Sequence, residues 1–163
     1  MTFCFRVIDV DGTSMEPTLI DTDKVVITDL FYTPKDGDIV IISHATNYNK
    51  PLVKRVIATA GQDVQIDYDK NEVYVDGQKL DELYIQGITV PGDIPANELN
   101  GVVPEGKVFV MGDNRRVSLD SRYKEIGYID EDSIIGKAQL DIIPHKRENG
   151  QLKFDISGIR YLY

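Results

Sequence analysis

A mostly β fold built from antiparallel sheet is what this 163-residue sequence predicts, and three observations predict it. The apolar runs are short, as in Lys24-Val25-Val26-Ile27, Asp38-Ile39-Val40-Ile41-Ile42 and Lys107-Val108-Phe109-Val110-Met111. Asp, Gly and Pro interrupt the chain between such runs, which is the punctuation of buried strands. Val64 to Val75 then carries two alternating segments around the polar Asp69-Lys70-Asn71 turn, the signature of a hairpin.

Size and composition narrow the functional classes. At 18.4 kDa the chain suits one domain, or one domain carrying an inserted subdomain. A formal net charge of -9, with a pI near 4.6, repels phosphate. No basic stripe is interleaved with aromatics, so nucleic acid is not the expected partner. Cys4 is the only cysteine and can close no internal disulfide; it reads as a small incidental or buried residue. The sequence contains no apolar run of about 18 residues that would cross a bilayer as a helix. No metal-ligand pattern or cofactor motif is expected.

Taken in order, Phe3 to Val10 holds β-favouring residues and reads as a strand entering the Asp11-Gly12 turn. Immediately beyond it stands Gly12-Thr13-Ser14-Met15-Glu16-Pro17-Thr18-Leu19, where a hydroxyl lies between a permissive glycine and a stiffening proline. Functional groups are commonly held on loops at strand ends, and Ser14 is the candidate nucleophile. A serine hydroxyl reacts only when a base takes its proton. His44 and His145 sit in no nucleophile-partner motif, which disfavours a Ser-His-Asp triad.

The candidate base is Lys54, in the strand Leu52 to Ala58. On a period of two, Leu52, Lys54 and Val56 share one face, while Val53, Arg55 and Ile57 take the other. The amine thus falls among apolar neighbours, and the permanently charged Arg55 is directed away from it. Burial lowers the pKa of an ammonium group, which a lysine acting as base near neutrality requires.

Beyond the hairpin, the stretch from Leu80 to Gly106 is rich in Pro, Gly and Asn and has no firm period; residues 62–106 read as an inserted β cap on a catalytic domain formed by 1–61 and 107–163. The strand Lys107 to Met111 delivers Gly112-Asp113-Asn114-Arg115, followed by Ser118, Asp120, Ser121 and Arg122. Ser133 to Leu140 supplies a further strand. Arg147-Glu148-Asn149-Gly150 marks a turn, and the aromatic tail from Phe154 to Tyr163 reads as core or sheet edge.

Together the Gly12 to Leu19 segment, Leu52-Val53-Lys54-Arg55-Val56-Ile57 and the Gly-Asp-Asn-Arg-x-x-Ser-x-Asp-Ser-Arg spacing of 112–122 resemble the type I signal peptidases, from about Val7 to about Leu140. Gly37-Asp38 resembles a further motif of that family, a structural turn. The resemblance implies a serine endopeptidase with a Ser14-Lys54 dyad that cleaves signal peptides from exported preproteins after small residues of the Ala-x-Ala type. It also implies that Ser118 bonds and orients the lysine amine. Gly112 and Asp113 would shape the floor of the site, with Asp120, Arg122 and Arg55 as bracing ion-pair residues whose pairing stays open. Val10, Met15, Leu19, Val25 and Val53 are the candidates, by position, for the lining of the peptide groove. Relatives often place a serine hydroxyl two residues before the nucleophile as an oxyanion donor; Gly12 stands there in this chain, leaving the Thr13 hydroxyl or a water as substitutes.

The family normally carries an N-terminal membrane anchor, with the catalytic domain on the outer face of the plasma membrane. Thirteen residues precede Ser14 here, and Phe3, Phe5, Val7 and Ile8 read as the outer continuation of a removed anchor, which would leave this chain soluble. Two alternatives accompany this reading. Self-cleaving repressors of the SOS type use the same Ser-Lys chemistry on a related fold, but the sequence has no helical DNA-binding domain or evident Ala-Gly linker. A catalytically silent scaffold for assembling surface structures would retain the fold without needing Ser14, Lys54 and Ser118 together.

Overall fold

The computed structural model describes residues 5–28 and 32–162. Cys4, Phe3 and the first residues of the predicted N-terminal strand lie outside them. The strands are β1 (Phe5–Asp9), β2 (Lys24–Thr28), β3 (Ile39–Ile42), β4 (Leu52–Thr59), β5 (Asp63–Asp67), β6 (Glu72–Val75), β7 (Gln78–Lys79), β8 (Gly101–Val102), β9 (Lys107–Met111), β10 (Ile129–Asp130), β11 (Ile134–Asp141), β12 (His145–Glu148), β13 (Gln151–Phe154) and β14 (Arg160–Tyr161). One short helix, α1 (Ala96–Leu99), precedes β8.

The main sheet runs β1-β2-β11-β3-β4-β9-β10, every pair antiparallel, with β14 added to β11. Its strands β3 and β9 are apolar on both faces because both faces are covered. In β3, Ile39 and Ile41 join a cluster with Val10, Met15, Leu19 and Val25, while Val40 and Ile42 join another with Leu52, Val56, Val108 and Val110. This alternation converts a continuous apolar run into two packing surfaces. Register shifts in β4 between Val56 and Ala58, and at two places in β11, mark bulges that bend the sheet. The strand expected at Ser133 to Leu140 is central in the sheet, between β2 and β3.

The predicted hairpin is β5 and β6, paired from Val64↔Val75 to Asp67↔Glu72. With β7 and β8 it forms a four-stranded sheet. That sheet lacks a separate core: Val64, Ile66, Val73 and Val75 pack in one cluster with Ile57, Phe109 and Met111 of the main sheet. On β9 the alternation again sorts the side chains, Phe109 and Met111 toward this cluster and Val108 and Val110 toward the other. The C-terminal tail is sheet edge, with β12 pairing β13 and Leu162 buried, while Phe154 and Tyr161 remain exposed.

Candidate active site

Three segments converge. The 12–19 segment leaves the end of β1 through Gly12, whose φ of +87° suits glycine, and the Gly12 N–H is held by Asp21 Oδ1 at 2.8 Å. A one-turn bond from Leu19 N–H to the Met15 carbonyl at 2.9 Å follows, and Met15 and Leu19 plug the segment into the core. This anchorage fixes Ser14, which is half-buried, at the wall of a cleft of about 750 Å³.

Opposite it, β4 carries Lys54, 2% exposed, with Nζ 2.8 Å from Ser14 Oγ. Burial pushes the Lys54 amine down to about 8, against the pull of the Asp120 and Asp113 carboxylates, and Arg122 adds to the depression. Neither histidine bonds Ser14: the His44 ring contacts Ser43 Oγ at 2.8 Å and the His145 ring contacts Asp23 at 3.2 Å.

The third segment is the loop after β9. Asn114 N–H donates to the Ser14 carbonyl at 3.0 Å, and Asn114 Nδ2 to the Thr13 carbonyl at 3.1 Å, tying the loop to the serine segment. Gly112 must be glycine here. A Cβ at that position would collide with the Ser14 carbonyl and Ser118 Oγ.

The pairing of acids and arginines is now resolved. Arg55 makes a two-pronged contact with Asp113, Nε to Oδ1 at 2.8 Å and Nη2 to Oδ2 at 2.6 Å, and its Nη1 reaches the Gly37 carbonyl at 2.8 Å. The Gly37-Asp38 turn therefore aims a carbonyl at Arg55. Arg122 pairs with Asp120 through Nε and Nη2, both at 2.8 Å, and Asp120 Oδ2 accepts from the Gly112 N–H at 3.0 Å. Thr18 Oγ1 also donates to Asp113.

One expected bond is not formed in this structure, and one expectation, that of the groove lining, needs correction. Ser118 was expected to bond the lysine amine, but the second acceptor of Lys54 Nζ is the Val53 carbonyl at 3.0 Å. Ser118 Oγ is buried against Gly112 with no hydrogen-bond partner among the described residues. Of the five expected groove residues, Val53 lines the cleft, with Ile8, Ile41, Leu52, Leu119 and Ile135. Val10, Met15, Leu19 and Val25 are instead sealed in the core behind it, at most 4% exposed, because they face inward from the strand ends and the serine turn.

Arg115, fully buried, was given no role by its sequence, although it stands within the 112–122 motif. Its partner Glu82 lies in a stretch without periodicity, where no local signal marks it.

Against this geometry stand the comparisons with known proteins. The family model for signal peptidase, peptidase S26, matches residues 1–143. The chain belongs to the signal peptidase family, peptidase S26. Signal peptidase IB of Staphylococcus aureus is 40% identical over 152 residues, spanning 83% of this chain and 76% of the relative. Signal peptidase I of Bacillus licheniformis is 38% identical over 154 residues, spanning 87% and 78%. The crystal structure of a signal peptidase I from Enterococcus faecalis matches at a TM-score of 0.50 and 27% identity, covering 65% of this chain and 97% of the other. The enzyme is thus a serine endopeptidase of the signal peptidase I type that cleaves signal peptides, on a mostly antiparallel β fold. Its family is membrane-associated; among the described residues no helix is long and apolar enough to cross a membrane.

Proposed function

We propose that the enzyme hydrolyses the peptide bond through an acyl-enzyme on Ser14, with neutral Lys54 as the general base. The observation that carries this reading is the 2.8 Å approach of a buried lysine amine to the serine hydroxyl. As Ser14 Oγ attacks the scissile carbonyl carbon, its proton passes to Lys54 Nζ. The ammonium returns that proton to the departing amine, leaving the ester. Water then attacks the ester carbonyl, giving its proton to Lys54, and the Oγ leaves with a proton from the same group.

The tetrahedral oxyanion needs preorganised donors. The Ser14 N–H is the first; among the described residues no acceptor engages it. The Thr13 hydroxyl or a water completes the pair, since the Gly12 N–H is already held by Asp21. Ser118 is kept for orienting the amine. An unpartnered buried hydroxyl costs roughly 1–3 kcal/mol, and a group retained at that cost beside Gly112 is poised for a hydrogen bond that forms when substrate arrives.

The substrate is the extended end of a preprotein signal peptide with small residues, usually alanine, one and three positions before the cut. Strand-like pairing supplies affinity, and the shallow apolar wall that includes Val53 supplies the size filter. The enzyme works at the outer face of the plasma membrane. Residues 62–106 form a cap inserted into the catalytic domain. Cleavage of a peptide containing an Ala-x-Ala site tests the reading. Ser14→Ala should abolish cleavage, and wild-type protein that leaves the peptide intact would instead favour a silent scaffold.

A further inference from the structure

The three buried arginines of the site share a property that the catalytic motif does not explain: each is completed by the segment 82–94, which belongs to the cap. Arg55 stacks its guanidinium 4.0 Å from the centroid of the Tyr84 ring. Arg115 forks onto the Glu82 carboxylate and donates through Nη1 to Thr89 Oγ1 at 3.1 Å. Arg122 donates to the Val90 carbonyl at 2.6 Å. The backbone follows the same course, with Gln86 N–H bonded to the Asp113 carbonyl and Ile94 N–H to the Arg122 carbonyl. Gly92 lies so close to the Arg122 backbone that a Cβ there would collide with it.

These contacts converge on one residue. Gly112, which touches the Ser14 carbonyl and Ser118 Oγ, has both of its backbone polar groups held. Its carbonyl accepts from Arg115 Nε at 3.1 Å, and the far side of Arg115 is fixed by Glu82. Its N–H donates to Asp120, which Arg122 holds, and Arg122 is fixed by Val90. Charge is matched in the same way. Asp113 and Asp120 from the catalytic loop neutralise Arg55 and Arg122, whereas the carboxylate for Arg115 comes from the cap. A buried guanidinium deprived of its carboxylate must seek water or another acceptor, and Arg115 would do so by releasing the Gly112 carbonyl.

We propose that the 82–94 segment is a positioning strap of the active site, in which Glu82 and Tyr84 hold the 112–122 loop, and through it the Ser14-Lys54 pair, in reacting geometry. The inference rests on the Ser14-Lys54 reading above. Misplacement of reacting groups by about 1 Å can cost on the order of a hundredfold in rate, while the apolar cleft that receives the peptide contains no residue of the strap and takes only Val117 and Leu119 from the loop it holds.

The test compares Glu82→Gln, Tyr84→Leu and Thr89→Val with wild type on a signal-peptide substrate. Melting temperature and near-UV circular dichroism normalise each rate to folded enzyme. Glu82→Gln should lower kcat per folded molecule by about tenfold or more and Tyr84→Leu by at least about threefold, with KM changed less than about twofold. Should Glu82→Gln fail to fold, Tyr84→Leu and Thr89→Val decide. Unchanged kcat per folded molecule, or a loss confined to KM, overturns the proposal. Ser14→Ala separates the two levels: residual cleavage by that variant sinks the nucleophile assignment itself. An inactive Ser14→Ala beside fully active strap variants removes the strap alone.

Discussion

In the proposed mechanism a single side chain, Lys54, sets the pH at which the enzyme works. Its amine is pushed down to about 8, burial being the main cause. Only the neutral amine accepts a proton, so kcat/KM for a signal-peptide substrate should rise with pH and level off above about 8. Below that, each unit of pH should cost about tenfold. Lys54→Arg should lose activity at every pH, because guanidinium stays protonated; a pH–rate series on both proteins checks this. Ser118 makes a different prediction, in which stability and rate move apart. Its hydroxyl has no partner among the described residues, so Ser118→Ala removes an unsatisfied buried group and should leave the melting temperature unchanged or slightly higher. If the hydroxyl orients the amine during turnover, kcat should still fall by about tenfold or more at similar KM. A variant with full kcat would reduce Ser118 to packing, and one losing stability and activity together would make it a folding residue.

Among the elements, β4 and the loop after β9 are coupled by charge. Arg55 leaves β4 one residue after Lys54 and meets Asp113 one residue after Gly112, with both side chains almost wholly buried. Strand pairing places Arg55 opposite Met111, which brings the guanidinium to the start of that loop. Removing one partner strands the other charge in the interior. Arg55→Ala and Asp113→Ala should each destabilise by about 3–5 kcal/mol, measured by denaturant unfolding. The double variant should cost less than the sum of the two, because the uncompensated charge is gone. Strict additivity would mean that the two residues are not coupled.

For the whole molecule, the four-stranded sheet of the proposed cap shares one apolar cluster with the main sheet. Phe109 and Met111 of β9 and Ile57 of β4 pack with Val64, Ile66, Val73 and Val75 of the four-stranded sheet. A cap without a core of its own cannot persist once β9 is lost. Calorimetry should accordingly give one unfolding transition with calorimetric and van't Hoff enthalpies equal. Two separated transitions would show that 62–106 folds independently. The strap acts on the same scale, since Glu82 and Tyr84 are remote in sequence from the loop they brace.

The sequence by itself determined the β class, the hairpin of β5 and β6 and the residues of the 12–19, 52–57 and 112–122 motifs. These are local properties: period-two burial, turn formers and fixed spacing are written in neighbouring residues. It also pointed to the burial of Lys54, since alternation along β4 places Leu52 and Val56 on the same face, but not to the charges of Asp113, Asp120 and Arg122 near its amine. Only the tertiary structure decided which acid meets which arginine, because several arrangements satisfy the same spacing until the strands take their register. It also decided that Lys54 rests on the Val53 carbonyl while the Ser118 hydroxyl has no partner among the described residues. The same holds for Val10, Met15, Leu19 and Val25, whose apolar character suits a groove and a core equally; packing assigned them to the core and left Val53 in the cleft. Glu82 was beyond sequence reasoning for the most physical of reasons. A single carboxylate in an aperiodic stretch acquires its meaning from the buried guanidinium that the fold brings to it.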